Sequence, residues 1–234
     1  MAFVQATCNS TPTGTGTKHL IQAYGSNVAS GNLLVVFVCG SVATPTISDT
    51  IGTSFGSPVT SVDDSGDGER LQCWVGTAPS SGANTVDVAY SAGLGDGWIG
   101  IAEFSGRSGT VTTSGTVLMT PAGTNVVSCP NGSSISIAAH DDLAFAMVVT
   151  GAYLANNWSV ATGSGFTEQC ESGVTDVKLD GALHTQNDMS ANASYVAQSQ
   201  AANRDASVGI VLSLAQSGGG GGGATNHMRR IHPF

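Results

Sequence analysis

Charge is scarce in this chain: only 10% of its 234 residues are Asp, Glu, Lys or Arg. With Gly, Ser, Thr, Ala and Val dominating instead, a helical protein is disfavoured and an all-β one expected. Basic charge is scarcer still. Residues 1–217 hold five Lys and Arg against 16 Asp and Glu, a formal −11, which argues against nucleic acid and anionic membrane as partners. Long apolar runs are missing; the longest, Leu33 to Cys39, suits a buried strand and falls well short of the roughly 18 residues of a membrane span. The opening Met1-Ala2-Phe3-Val4-Gln5 has neither a positive segment nor an apolar core, so no secretory signal is expected, and synthesis and folding in a cytoplasm are. Five cysteines occur with no CxxC, His-x-His or HExxH spacing, so no metal and no cofactor are expected. Reduced thiols packed as small apolar side chains are the expectation, with pairing after release into an oxidising medium as the alternative.

What is present reads as strands. The first half offers segments at Lys18 to Tyr24, Asn32 to Gly40, Arg70 to Ala78, Asn84 to Ser91 and Gly97 to Gly106, rich in β-branched and aromatic residues and separated by Gly, Pro, Asn, Asp and Ser. The second half repeats the order. "GNLLVVFVCG" from Gly31 is echoed by "DDLAFAMVVTG" from Asp141, "LQCWVGTA" from Leu71 by "LDGALHTQ" from Leu179, and "GWIGIAEFSG" from Gly97 by "ASVGIVLSLAQ" from Ala206. The shared spacing of about 110 residues predicts a duplicated architecture. Tandem immunoglobulin-like domains would satisfy it. The junction Ser105 to Thr116 lacks linker character, however, and favours one large antiparallel β-sandwich of jelly-roll or Greek-key style over residues 1–217, with pseudo-repeats 1–106 and 107–217 and strands from each half in both sheets.

The run of "SGNLLVVFV", "WIGIAEFSG", "DDLAFAMVV", "GSGFTEQCE" and "VGIVLSLAQ" resembles a β-sandwich module that recurs in tailed-phage virion proteins and some bacterial surface proteins. The resemblance covers roughly residues 1–216. It implies a structural or adhesive role and transfers no catalytic residue.

Several motifs invite a chemical reading. "GTSFG" (Gly52 to Gly56) matches a nucleophile elbow, but Pro58 and a turn-rich run follow where that motif needs a helix. His19, His140 and His184 have no neighbouring poised nucleophile and are expected to be hydrogen-bonded strand-edge or loop residues. No enzyme activity is expected. Asp63, Ser65, Asp67 and Gly68 open like a calcium loop, yet Trp74 stands where an EF-hand needs its Glu; a solvated hairpin is expected, with an adventitious cation site built from Asp63, Asp64, Asp67 and Glu69 as the alternative. Glu103, between alternating apolar neighbours, is expected to face solvent. Trp74 and Trp98 fit a core, whereas Tyr153 and Trp158 lie in a loop and are candidate glycan contacts.

The last stretch differs in kind. Six glycines, Gly218 to Gly223, lead to Met228, Arg229, Arg230, Ile231, Pro233 and Phe234, so residues 218–234 carry two cations and no acid. Such an arm is free to reach up to about 60 Å if extended, and its tip offers apolar and guanidinium contacts to an acidic partner. A fused epitope on a glycine linker is the bland alternative. The combined expectation is a virion structural protein, a capsid decoration protein above all, tied by its arm to other copies of itself (a trimer is assumed) and to the major capsid or another virion protein. A receptor-binding or fibre-associated module is the alternative.

Overall fold

The computed structural model describes residues 3–11, 13–14, 16–64, 68–91, 96–119, 126–129, 135–137, 140–150, 159–160, 165–171, 179–187, 189, 193–195, 197–200 and 206–217. All of its regular structure among these residues is antiparallel β. The first half contributes β1 (Phe3–Asn9), β2 (Lys18–Ala23), β3 (Leu33–Ser41), β4 (Thr46–Asp49), β5 (Thr60–Asp64), β6 (Glu69–Thr77), β7 (Thr85–Tyr90) and β8 (Trp98–Phe104). The second contributes β9 (Arg107–Met119), β10 (Val126–Cys129), β11 (Ile135–Ile137), β12 (Asp142–Thr150), β13 (Ser159–Val160), β14 (Thr167–Glu171), β15 (Asp180–Gln186), β16 (Ala193–Tyr195), β17 (Ala197–Gln200) and β18 (Ala206–Gln216).

Each half builds a five-stranded and a three-stranded sheet. In the first, β1-β8-β3-β6-β5 accompanies β2-β7-β4; in the second, β9-β18-β12-β15-β14 accompanies β10-β17-β13, and β11 pairs with β16. Matching β1 with β9, β2 with β10, β3 with β12, and so on to β8 with β18 makes the two strand orders the same. The two five-stranded sheets stack face to face, β1 against β14, β8 against β15, β6 against β18 and β5 against β9. Every described strand therefore pairs within its own half, and the expectation that each half supplies strands to both sheets is corrected. The reason is pairing within the half: β3 bonds to β6 on one side and to β8 on the other, leaving no central slot for a strand from the other half.

Two apolar layers hold this arrangement. Leu33, Val35, Phe37, Cys39, Leu71, Cys73, Trp98, Ala102 and Phe104 meet Ala144, Ala146, Val148, Leu183, Val208, Ile210, Leu212 and Leu214 between the large sheets. The opposite face of the same strands, with Leu34, Val36, Val38, Trp74, Ile99 and Ile101, packs on Leu20, Val86, Val88 and Tyr90 of the small sheet. That double covering is why β3 is apolar without alternation. Burying both faces of a Leu or Val run is stabilised by roughly 25 cal/mol per Å² of apolar surface removed from water.

The large sheets run in the same direction. Trp98, opposite Cys39 near the end of β3, abuts Gly181, opposite Val148 near the end of β12; a Cβ on Gly181 would lie 2.7 Å from the indole. At the other end the Arg107 guanidinium reaches the His140 carbonyl, and Ser217 N–H donates to Gly106. We call this the junction end and the Trp98 end the far end.

The junction, polar in sequence, is mostly strand: β9 begins at Arg107. Its Thr, Ser and Val residues suit a pleated edge, though their low hydropathy gives no core signal.

His184 is fully buried on β15, tilted against Phe145 with ring centroids 5.5 Å apart. It is thus neither an edge nor a loop residue as expected. Burial holds its imidazole down at about 4, from an ordinary 6.5. The unfolded chain then binds the extra proton between those values, so stability is full above pH 6.5 and falls as pH drops towards 4. The loss is on the order of 3 kcal/mol. Urea midpoints measured across that range should show the fall in the wild type and a markedly shallower one in His184→Leu.

Candidate functional site

Buried polar side chains gather at the junction end, at matching places in the two halves. Glu103 on β8 is 1% exposed, which corrects the solvent-facing expectation. Alternation along β8 holds, but its second face is covered by the small sheet and so is also interior. The carboxylate accepts from Gln5 Nε2 at 2.6 Å, Asn32 Nδ2 at 2.6 Å and Ala29 N–H at 2.9 Å. In the second half Asp141, the counterpart of Asn32 at the 109-residue spacing, accepts from Ser213 Oγ at 2.6 Å and Thr112 Oγ1 at 2.8 Å. Beside it Arg107 Nε donates to Asp142 at 2.6 Å, and both side chains are essentially inaccessible. His140, at φ 67°, gives its carbonyl to Arg107 Nη1 at 2.7 Å. These carboxylates are occupied by donors, and their hydrogen bonds cross-link strands at the junction end of the sandwich.

Along β1, Gln5, Thr7 and Asn9 donate their side chains to the Ser26, Ala23 and Ile21 carbonyls. Alternate residues of one sheet thus cover the open edge of β2 in the other, which protects it from pairing with another chain.

The tempting catalytic motifs do not assemble. His19 Nδ1 lies 2.8 Å from Asp87 Oδ1 on the half-exposed outer face of β2-β7-β4. Ser48 sits opposite Asp87 on β4, across β7 from His19, so the carboxylate separates hydroxyl from imidazole where a triad needs the imidazole in the middle. In "GTSFG", Thr53 and Phe55 point down onto Gly76, where a Cβ would lie 2.5 Å from Thr53 Cγ2, and the chain runs on to β5 without a helix. The segment is a cover over β6.

The acidic hairpin joins β5 to β6. Asp63 forms a two-pronged ion pair with Arg70, whose guanidinium holds the carboxyl below its ordinary range. Asp64 is buried, Glu69 is half-buried, and Asp67 lies outside the described residues. Among the described residues no group of three metal-ligating side chains occurs.

Tyr153 and Trp158 also lie outside the described residues, as do Met228, Arg229, Arg230, Ile231, Pro233 and Phe234. Their anchor points are described. Thr150, before the Tyr153 segment, ends β12 at the far end, while residue 217, before the glycine run, sits at the junction end. The nine residues of β12 put these points about 27 Å apart.

Cys8 on β1 and Cys170 on β14 form a disulfide, so the expectation of five reduced thiols is corrected for this pair. It holds for Cys39, Cys73 and Cys129, which are free and buried; burial pushes all three thiols up from their ordinary range. The pairing is invisible in the sequence because 162 residues separate partners that only sheet stacking brings together.

No helix among the described residues is long and apolar enough to cross a membrane. Comparison of the chain with protein-family models, with curated proteins and with solved structures finds no match.

Proposed function

We propose that the chain is a non-enzymatic structural protein of a tailed-phage virion, a capsid decoration protein whose sandwich sits on the particle exterior. Residues 218–234 tie it to neighbouring copies and to the major capsid or another virion protein. The observation that carries this reading is the break at residue 217, where a body of formal charge −11 gives way to six glycines and a basic, apolar tip. Weak individual contacts suffice, because many tethered copies act together through effective concentration. The particle is the localisation this implies, with no nucleic acid or membrane as partner.

A chain truncated after residue 217 is expected to keep the unfolding midpoint of the full chain and to lose its assembly. Native mass and co-sedimentation with particles read both at once. Raised salt should weaken assembly of the full chain, because the anchoring pairs are solvent-accessible. Unchanged assembly after truncation would defeat the reading.

A second reading, a receptor-binding or fibre-associated module, is favoured by the polarity of the fold. Thr150, the last described residue before Tyr153 and Trp158, lies at the end opposite residue 217, the end an arm-anchored molecule would turn outward. Trp158→Ala should then reduce adsorption to glycan with folding unaltered.

A further inference from the structure

The two large sheets are joined covalently by the chain itself and by one disulfide, and the two joins enter the second sheet at its opposite edges. The chain itself passes from β8 to β9 through Ser105 and Gly106, and β9 is an outer strand of the second sheet. The Cys8–Cys170 bond joins β1 to β14, the strands at the other edge of the stack. At the β5/β9 edge Val62 and Val111 are laid against the shared core. The second sheet is thus hinged at β9 and clasped at β14.

The thiols differ accordingly. Cys8 and Cys170 are partly exposed at the rim of the core, whereas Cys39, Cys73 and Cys129 are fully buried. Around Cys8 and Cys170 the interface between the sheets is an extensive apolar core, which needs no bond to be buried. We propose that the Cys8–Cys170 disulfide is a redox-operated clasp: the chain folds with all five thiols reduced, and oxidation then locks the β1/β14 edge selectively.

The oxidant is a small-molecule disulfide. The Cys8 or Cys170 thiolate attacks it, forming a mixed disulfide and expelling one small thiol. The second cysteine thiolate displaces the other small thiol and forms the protein bond. Two protons leave the cysteines, and their two electrons reduce the oxidant to two thiols. The three buried cysteines take no part, since a thiol kept neutral and inaccessible is a poor nucleophile.

The clasp is tested on the full chain in three forms: oxidised, reduced by a phosphine, and Cys8→Ser/Cys170→Ser. Alkylation of the native reduced protein should label two thiols, and of the denatured oxidised protein three. Hydrogen exchange should speed up at least tenfold in β1 and β14 on reduction and stay within about twofold in β5 and β9. The double variant should match the reduced form at both edges. Labelling of all five thiols in the native reduced chain would show that the fold needs the bond, and would overturn the proposal. So would three free thiols that are not Cys39, Cys73 and Cys129, or equal exchange at the two edges. None of these outcomes bears on whether the 218–234 arm anchors the protein.

Discussion

Asp142→Ala should lower the stability of the chain by about 3–5 kcal/mol, the cost of leaving a buried charge without its partner. The Arg107 guanidinium is 1% exposed and donates to Asp142 and to the His140 carbonyl, so water cannot replace the lost carboxylate. At about 2–4 °C per kcal/mol for a chain of this size, a drop in Tm of roughly 10 °C follows. The pair also ties the start of β9 to the start of β12 across β18, so exchange should rise first at the junction end. Arg107→Met with Asp142→Leu removes both charges together and should recover most of the loss, because a desolvated pair contributes little over apolar residues of similar size. Chemical denaturation of the three proteins at one pH decides the matter. A double variant as unstable as Asp142→Ala would mean that geometry, and not uncompensated charge, sets the cost.

The second large effect belongs to the cysteines. In the chain-entropy account a cross-link closing a 162-residue loop stabilises the folded state by about 5 kcal/mol, and less where the unfolded chain keeps some structure. Cys8→Ser/Cys170→Ser should therefore unfold at a lower urea concentration than the oxidised wild type and at nearly the same concentration as the reduced one. Cys39→Ser, by contrast, places an unpartnered hydroxyl in the apolar layer between the large sheets, and its cost of about 1–3 kcal/mol should be the same under oxidising and reducing conditions. A redox-independent midpoint in the wild type would contradict the first expectation.

Both effects arise from contacts distant in sequence, and this divides what can be read from the chain alone. The positions of β2, β3, β6, β7 and β8 follow from local composition and punctuation, to within a residue or two. The recurrence near 110 residues is visible in the same way, and its three echoes fall on β3 and β12, β6 and β15, and β8 and β18. The charge break at residue 217 is likewise a property of the sequence and needs no fold to be seen. Among the strands that composition does not reveal are several outer ones of the first half and the junction: β1, short β4 and β5, and β9. An outer strand buries little, so Thr, Ser and Gln serve there and leave no apolar pattern.

Which faces became interior was settled only in three dimensions. Period-two alternation assigns residues to two sides of a strand but does not say whether one side or both will be covered. Glu103 is expected in solvent for that reason, and a second layer of sheet turns its side into core. Stacking of the large sheets likewise brings Cys8 to Cys170, while folding of the second half sets Arg107 on Asp142. Neighbours along a strand are dictated by the order of residues, but neighbours between layers depend on how the sheets come to rest on one another.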